Sequence, residues 1–438
     1  MDDLIQRIYR AFGTGPLTPE QFDLYVDLDP VRGEQQVAQR LAKKIRLTGS
    51  PTHQVLAGHR GSGKSTELYR LQRELEHPSG SDKRYFVVFC KTDEDLDRND
   101  VDFFDVLVTV VRQMATQLKD RAGISLKPGY FKDRFERMKT ALAGEVTLDS
   151  LGIDVGLFKI ATTIKSSPNA RREIRKLFEP DAGNWLHAAN DVIGQAVLGL
   201  RDKGYAGLVV IVDDLDKMVS RPDDAAGCLT TEYLFVHRAG QLTEFECHMV
   251  YDMPISLAFS HYEQRIKTNF GGHVPVVSMT KVMTPPPRCK PYKPGIEKFR
   301  EVIAKRLTSA GAAESDLFAD QRVRDELIYL SGGQPTELMT LVREAVVTKG
   351  LPVTSDSLRR AQTEGRKEYA RQLREEHLPL LAEAAKTGWV KRSTANENAF
   401  RELLEMRALL QYENDKEWYG VNPQIGDLLP PKRPARKR

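Results

Sequence analysis

Residues 58–65 read GHRGSGKS: three glycines, a lysine and a hydroxyl in the spacing G-x-x-x-x-G-K-[ST]. Each residue type has a task if such a turn holds phosphate. Gly58, Gly61 and Gly63 let the backbone turn through positive φ, so that successive N–H groups approach an anion with no Cβ in the way. Lys64 brings charge to the β and γ phosphates and Ser65 a hydroxyl for Mg²⁺. A helix starting at Lys64 points the positive end of its dipole at the same oxygens. The expected contacts of bound ATP are therefore Gly58, Gly61, Ser62, Gly63, Lys64, Ser65 and Thr66.

A second cluster lies at residues 207–216, GLVVIVDDLD. Five apolar residues, Leu208 to Val212, predict a short buried strand that ends on paired acids. Asp213 is the expected partner of Ser65 in holding Mg²⁺, through water. Asp214 is the expected catalytic carboxylate that orients or activates an attacking water. A strand tipped by acids is common by itself; its place downstream of a phosphate loop gives it meaning.

These residues need elements to position them. Gln54 to Ala57 reads as a strand end, and Leu68, Leu71 and Leu75 recur at near-helical spacing from Lys64 to Leu75. Further strands are expected at Tyr85–Cys90, Cys247–Tyr251 and His273–Met279. A helix is expected over Val101–Leu118, with Asn99 or Asp100 as its cap. That order predicts an α/β, three-layer P-loop NTPase core with a parallel sheet and the ligand at the C-terminal strand ends.

Roughly 150 positions separate Lys64 from Asp213, more than a small core needs, so 121–188 reads as an insertion. Its VTLDSLGIDVGLFKIATTI, residues 146–164, partly alternates and predicts a hairpin. Arg171, Arg172 and Arg175 follow, as a partner surface, as cations acting in trans, or as a solvated helix start. Near the C-terminus, helices are expected at Leu378–Ala385 and Asn398–Ala408. Two short strands then flank a turn at Asn414, Asp415 and Lys416, an order of winged-helix character.

With 40% hydrophobic and 29% charged residues, the 438-residue chain has the composition of an ordinary globular protein. It lacks the ~18-residue uncharged apolar run of a spanning helix, and MDDLIQRIYRAF lacks the order of a secretory signal, so a cytoplasmic protein with no membrane partner is expected. Cys90, Cys228, Cys247 and Cys289 lack metal or disulfide spacing and read as buried reduced thiols. Five of the 65 basic residues lie in the last seven, KRPARKR, which leaves 60 against 61 acidic residues elsewhere. The net charge of +4 is thus a property of the tail.

GHRGSGKSTEL together with LVVIVDDLD resembles the AAA+ and STAND branch of P-loop ATPases, particularly origin-initiator-like AAA+ proteins and their bacterial STAND relatives. SGGQPTELMTLVREA, residues 331–345, is similar to the Gly-Gly-x-Pro start of the lid helix in those families. The resemblance implies an ATPase core divided between 1–120 and 189–290 around the 121–188 insertion. It further implies a helical lid at 291–375, a winged-helix-like domain at 376–430 and a basic tail at 431–438. It also implies that Arg265, in SHYEQRIKTNFGG, reaches the nucleotide of a neighbouring subunit, and that Asp252 is a polar sensor. The Arg32-Gly33-Glu34 turn is expected near the base or ribose.

ATP-dependent homo-oligomerisation, a partner protein and DNA are the implied associations. The second C-terminal helix, however, carries Glu397, Glu402 and Glu405 against Arg401 and Arg407. Two departures from the family, Asp213-Asp214 for Asp-Glu and Thr336-Glu337 where a lid arginine often stands, point to a slow or partner-stimulated ATPase. Arg343 lies two turns beyond that place. The reading is a nucleotide-dependent switch in bacterial regulation or anti-phage defence, with a DNA-binding initiator or loader as the alternative.

Overall fold

The computed structural model describes residues 2–33, 35–127, 131, 153–223, 227–414 and 416–428. Glu34, Asp415, the first half of the expected 146–164 hairpin and the basic tail lie outside them. In chain order the elements used below are α1 (Asp2–Ala11), α2 (Val37–Leu47), β1 (His53–Gly58), α3 (Lys64–Glu76), β2 (Phe86–Lys91), α4 (Phe103–Ala122), α5 (Ile153–Ser166), α6 (Pro168–Phe178), α7 (Ala182–Asp202) and β3 (Leu208–Asp213). There follow β4 (His248–Pro254), α8 (Glu263–Asn269), β5 (Val276–Val277), α9 (Lys293–Ala310), α10 (Gln321–Leu330), α11 (Pro335–Lys349), α12 (Ser355–Gln372), α13 (His377–Thr387), α14 (Glu397–Glu405), β6 (Leu409–Glu413) and β7 (Glu417–Val421). By contact the chain divides into two units. Val37–Ala57 and Glu67–Pro275 form one; Met1–Gln36, Gly58–Thr66 and Val276–Arg438 form the other.

The sheet unit carries strands in the order β2-β3-β4-β1. Valines and isoleucines recur through β3 because both sheet faces are covered, and every residue of that strand is buried. Parallel register sets Lys91 opposite Asp213 and Val212 opposite Tyr251. Helix α3 packs through Tyr69, whose ring stacks on Phe89 at 4.1 Å.

Strand β2 is an edge, and α4 covers it. Gln117 bonds both the N–H and the carbonyl of Phe89, Gln113 does the same at Lys91, and Arg121 donates to the Val87 carbonyl at 2.8 Å. Glu76 accepts the Val87 N–H at 3.3 Å. The cap of α4 is Asp102, which accepts the Phe103 N–H at 2.7 Å, rather than Asn99 or Asp100.

The expected hairpin is overturned over its described half, where residues 153–166 form α5. Ile153, Leu157, Ile160, Ala161 and Ile164 also recur at three- and four-residue spacing, and over this length the helical period prevails. The third expected strand shrinks to β5, two residues of His273–Met279. Only Cys90 and Cys247 are buried thiols, their pKa values pushed up by desolvation; Cys289 is exposed.

The other unit is mainly helical. Ile8 of α1 and Phe12 just after it pack with Phe299, Ile303 and Leu307 of α9 and with Leu338, Leu341 and Val342 of α11 in one buried cluster. Full burial of each such side chain contributes about 1.5–3 kcal/mol. The C-terminal segment forms α13, α14 and an antiparallel hairpin in which Tyr412 pairs with Trp418, their rings stacked at 4.1 Å.

Candidate nucleotide site

Strand β1 runs into the glycine loop and the loop into α3, the order that a phosphate loop requires. Gly61 takes φ +79°, and a Cβ there would stand 2.5 Å from Gln334 Nε2, so a second segment approaches the loop closely. That segment is the lid turn. Gln334 Nε2 donates to the Arg60 carbonyl at 2.6 Å and the Thr336 N–H to the Gly61 carbonyl at 3.3 Å. Gly333 is required in its turn, since a Cβ would fall 1.6 Å from the Thr280 carbonyl oxygen.

Arg32 is buried at the same place. Its Nη2 donates to the Ser62 carbonyl at 2.7 Å and its Nε to the Thr280 hydroxyl at 3.1 Å. In the turn expected near base or ribose, the Arg32 guanidinium braces the phosphate loop. Lys64 is also buried, and its Nζ donates to the carbonyls of Gly58 at 3.0 Å and His59 at 3.2 Å. Thr66 Oγ1 accepts the Leu17 N–H at 3.2 Å. Ser62 Oγ is buried without a hydrogen-bond partner among the described residues.

His59 occupies a variable position of the motif, which is why sequence reasoning passed over it. Its fully buried ring sits between the loop and the C-terminal segment: Nδ1 lies 3.0 Å from the Leu404 carbonyl, and Nε2 accepts the Gln411 N–H at 2.9 Å. These partners demand a neutral ring protonated at Nδ1. Burial first, against the hydrogen bond to Leu404 and with help from the Lys64 and Arg407 charges, pulls its pKa down to about 3. The C-terminal hairpin reaches the lid turn too, where Tyr412 Oη donates to the Gly332 carbonyl at 2.6 Å.

In the sheet unit the acids stand at the C-terminal strand ends. Asp213 is 3% exposed and its carbonyl accepts the Thr92 hydroxyl at 2.9 Å. Because Val212 pairs with Tyr251, Asp213 and Asp252 come next on adjacent strands, both buried. Asp214 adopts a left-handed φ of +71°, tolerated by Asp better than by most side chains, and forms an ion pair with Lys217. Lys91, opposite Asp213 on the edge strand, is a cation that the sequence reading missed. Buried carboxylate oxygens of this kind suit a hard cation such as Mg²⁺.

Other sequence candidates have different fates. Arg265 is exposed on α8 and makes no ion pair among the described residues. Arg343 lies with its guanidinium 3.7 Å above the Tyr9 ring and serves α1. Arg171 is buried and bonds Asp97 and Asp100, and Arg175 bonds Asp100 and Asp105; both are internal struts, not cations available in trans. Arg172 remains exposed.

Strand, glycine loop and helix, together with an acid-tipped parallel strand, define a P-loop nucleotide-binding fold. No family model matches the chain, and no curated protein does. Among solved structures it is similar to a Walker-type ATPase of Pyrococcus abyssi, over 95% of this chain and 99% of that one, at 13% identity and a TM-score of 0.46. It is similar also to Cdc6p from Pyrobaculum aerophilum (95% and 94% covered, 13% identity, TM-score 0.39). The Orc1 protein of Aeropyrum pernix, solved in complex with DNA, aligns over 93% and 96% at 13% identity and a TM-score of 0.39. No helix among the described residues is long and apolar enough to cross a membrane.

Proposed function

We propose that the protein is an ATP-binding, slowly hydrolysing switch of the AAA+ or STAND kind. One observation carries this reading: the phosphate loop is bonded directly to the lid turn, through Gln334 to Arg60 and Thr336 to Gly61. A triphosphate draws Lys64 away from the carbonyls of Gly58 and His59 and recruits the loop N–H groups, so its binding bears on the contacts that hold the lid.

Ser65 and Asp213 are the proposed holders of Mg²⁺, which when bound screens the phosphate charge. Asp214 is the proposed base for water, released from Lys217 or acting beside it. Arg265, exposed on its helix, is the proposed cation for a neighbouring copy, and a partner protein is the proposed trigger. Bacterial regulation or anti-phage defence is the pathway that the STAND resemblance supports.

A DNA-acting initiator or loader is the second reading. The C-terminal segment, read as a winged helix, presents Lys386 in the last turn of α13 and Lys391 and Arg392 with the exposed Trp389 in the link to α14, a set suited to phosphates. Helix α14 itself is unsuited to groove reading, with Arg401 buried and Glu402 bonded to Arg374 and His377.

Steady-state ATP hydrolysis with and without duplex DNA, with Lys64→Ala as blank, separates the two. DNA-stimulated turnover supports the loader. ATP bound with little turnover in either condition supports the switch, and no ATP binding at all overturns both.

A further inference from the structure

We propose that a cavity between α1, the following loop and α9 is a second ligand site, built for a small phosphorylated molecule. The cavity measures about 380 Å³. Arg7 and Arg10 of α1 and Arg306 of α9 line it, with Gln21 as a further polar group and Leu17 and Leu24 as an apolar wall; the lining contains no carboxylate.

Arg306 is the telling member. It is 8% exposed, donates from Nη1 to the Ala11 carbonyl at 2.5 Å, and keeps a buried Nε with no hydrogen-bond partner among the described residues. Three other buried arginines face acids: Arg112 faces Asp95, Arg171 faces Asp97 and Asp100, and Arg324 faces Glu314 and Asp325. Arg306 receives none among the described residues, and desolvation pulls its pKa down to about 10. A buried guanidinium without a counter-charge is costly, and an anion from solution removes the cost.

Capping the last carbonyl of α1 accounts for one nitrogen of Arg306. It does not account for the remaining Nε–H or for Arg10 beside the same space; Arg7, the third arginine, also pairs through Nε with Asp3 at 3.1 Å. Guanidinium forks match the oxygens of a phosphate, and the volume lies in the range of small-molecule sites. The apolar wall suits the organic part of a phosphate ester. The same wall touches the phosphate loop, because the Leu17 N–H is bonded to the Thr66 hydroxyl. An occupant therefore bears on the first turn of α3.

The test uses the full chain carrying Lys64→Ala, which weakens phosphate binding at the glycine loop, titrated calorimetrically with inorganic pyrophosphate. Binding is expected, and adding Arg7→Ala with Arg10→Ala weakens it by about tenfold or more through the lost charge-assisted bonds. Those two residues are exposed, so folding is preserved; Arg306→Gln is the companion variant. The Arg7/Arg10 pair of changes in the otherwise parental chain leaves MgATP affinity within twofold. Absence of pyrophosphate binding to the Lys64→Ala chain, or binding that the Arg7/Arg10 changes leave intact, overturns the site without touching the ATP reading.

Discussion

The glycine loop and the acid-tipped strand end are the two halves of the proposed chemistry, and they are held by different means. Asp213 and Asp252 are placed by parallel register, with whole strands buried behind them. The loop is placed by single side-chain bonds, from Arg32 and Gln334 onto it and from its own His59 out to Leu404 and Gln411, all segments far apart in the sequence. A register cannot slip by one residue without turning every side chain over, whereas a side-chain bond can be exchanged for another. The strand end is thus a fixed platform and the loop a part that can answer to its surroundings.

The largest expected effect breaks the loop half. Lys64→Ala removes the charge aimed at phosphate and should weaken ATP binding by ~100-fold or more; an unchanged titration would end the nucleotide reading. Next, Asp214→Asn on the strand half should leave ATP bound while slowing turnover ~100-fold, the scale of a lost general base. Parental turnover in single-cycle assays would remove Asp214 from the chemistry. His59→Ala then tests whether the loop is held as described. It leaves the Leu404 carbonyl and Gln411 N–H without their partner and should cost roughly 2–4 kcal/mol in denaturant unfolding. A loss under 0.5 kcal/mol would make the histidine incidental.

The same histidine gives a pH signature. Its folded pKa, about 3, lies below the ordinary value of 6.5. The unfolded chain therefore binds the extra proton between those values. Stability from this group is complete above pH 6.5 and falls as the pH drops towards 3, by at most ~1.4 kcal/mol per unit. His248, pulled down to about 4 by burial, acts in the same direction in the sheet unit. His59→Gln should flatten the slope measured from melts between pH 6.5 and 4.5, and an unaltered slope would assign it elsewhere. The smallest effect is at Arg265: alanine there should leave the dilute monomer unchanged and lower turnover only where copies assemble, as a concentration series would show.

What was legible in the sequence follows the same division. The strands tipped by Gly58 and Asp213 carry runs of apolar residues that report their own burial, and the phosphate loop declares itself by spacing. His59 and Gln334 carry no such mark, because a side chain that bonds a backbone group hundreds of residues away leaves no periodicity. The 153–166 segment misled because glycine and threonine among β-branched residues read as a strand, while the helical spacing lay in the same letters. Arg171 reads like any surface arginine until Asp97 and Asp100 are seen around it.

The treatment of β2 has a further consequence. Along its outer margin the N–H and carbonyl groups of Val87, Phe89 and Lys91 are all engaged by Glu76, Arg121, Gln117 and Gln113. A strand from another molecule finds neither donor nor acceptor there, so copies of this protein cannot polymerise by lengthening the sheet from that margin. Another molecule that meets this margin must do so side chain to side chain, an attachment more easily undone than a shared ladder of backbone bonds.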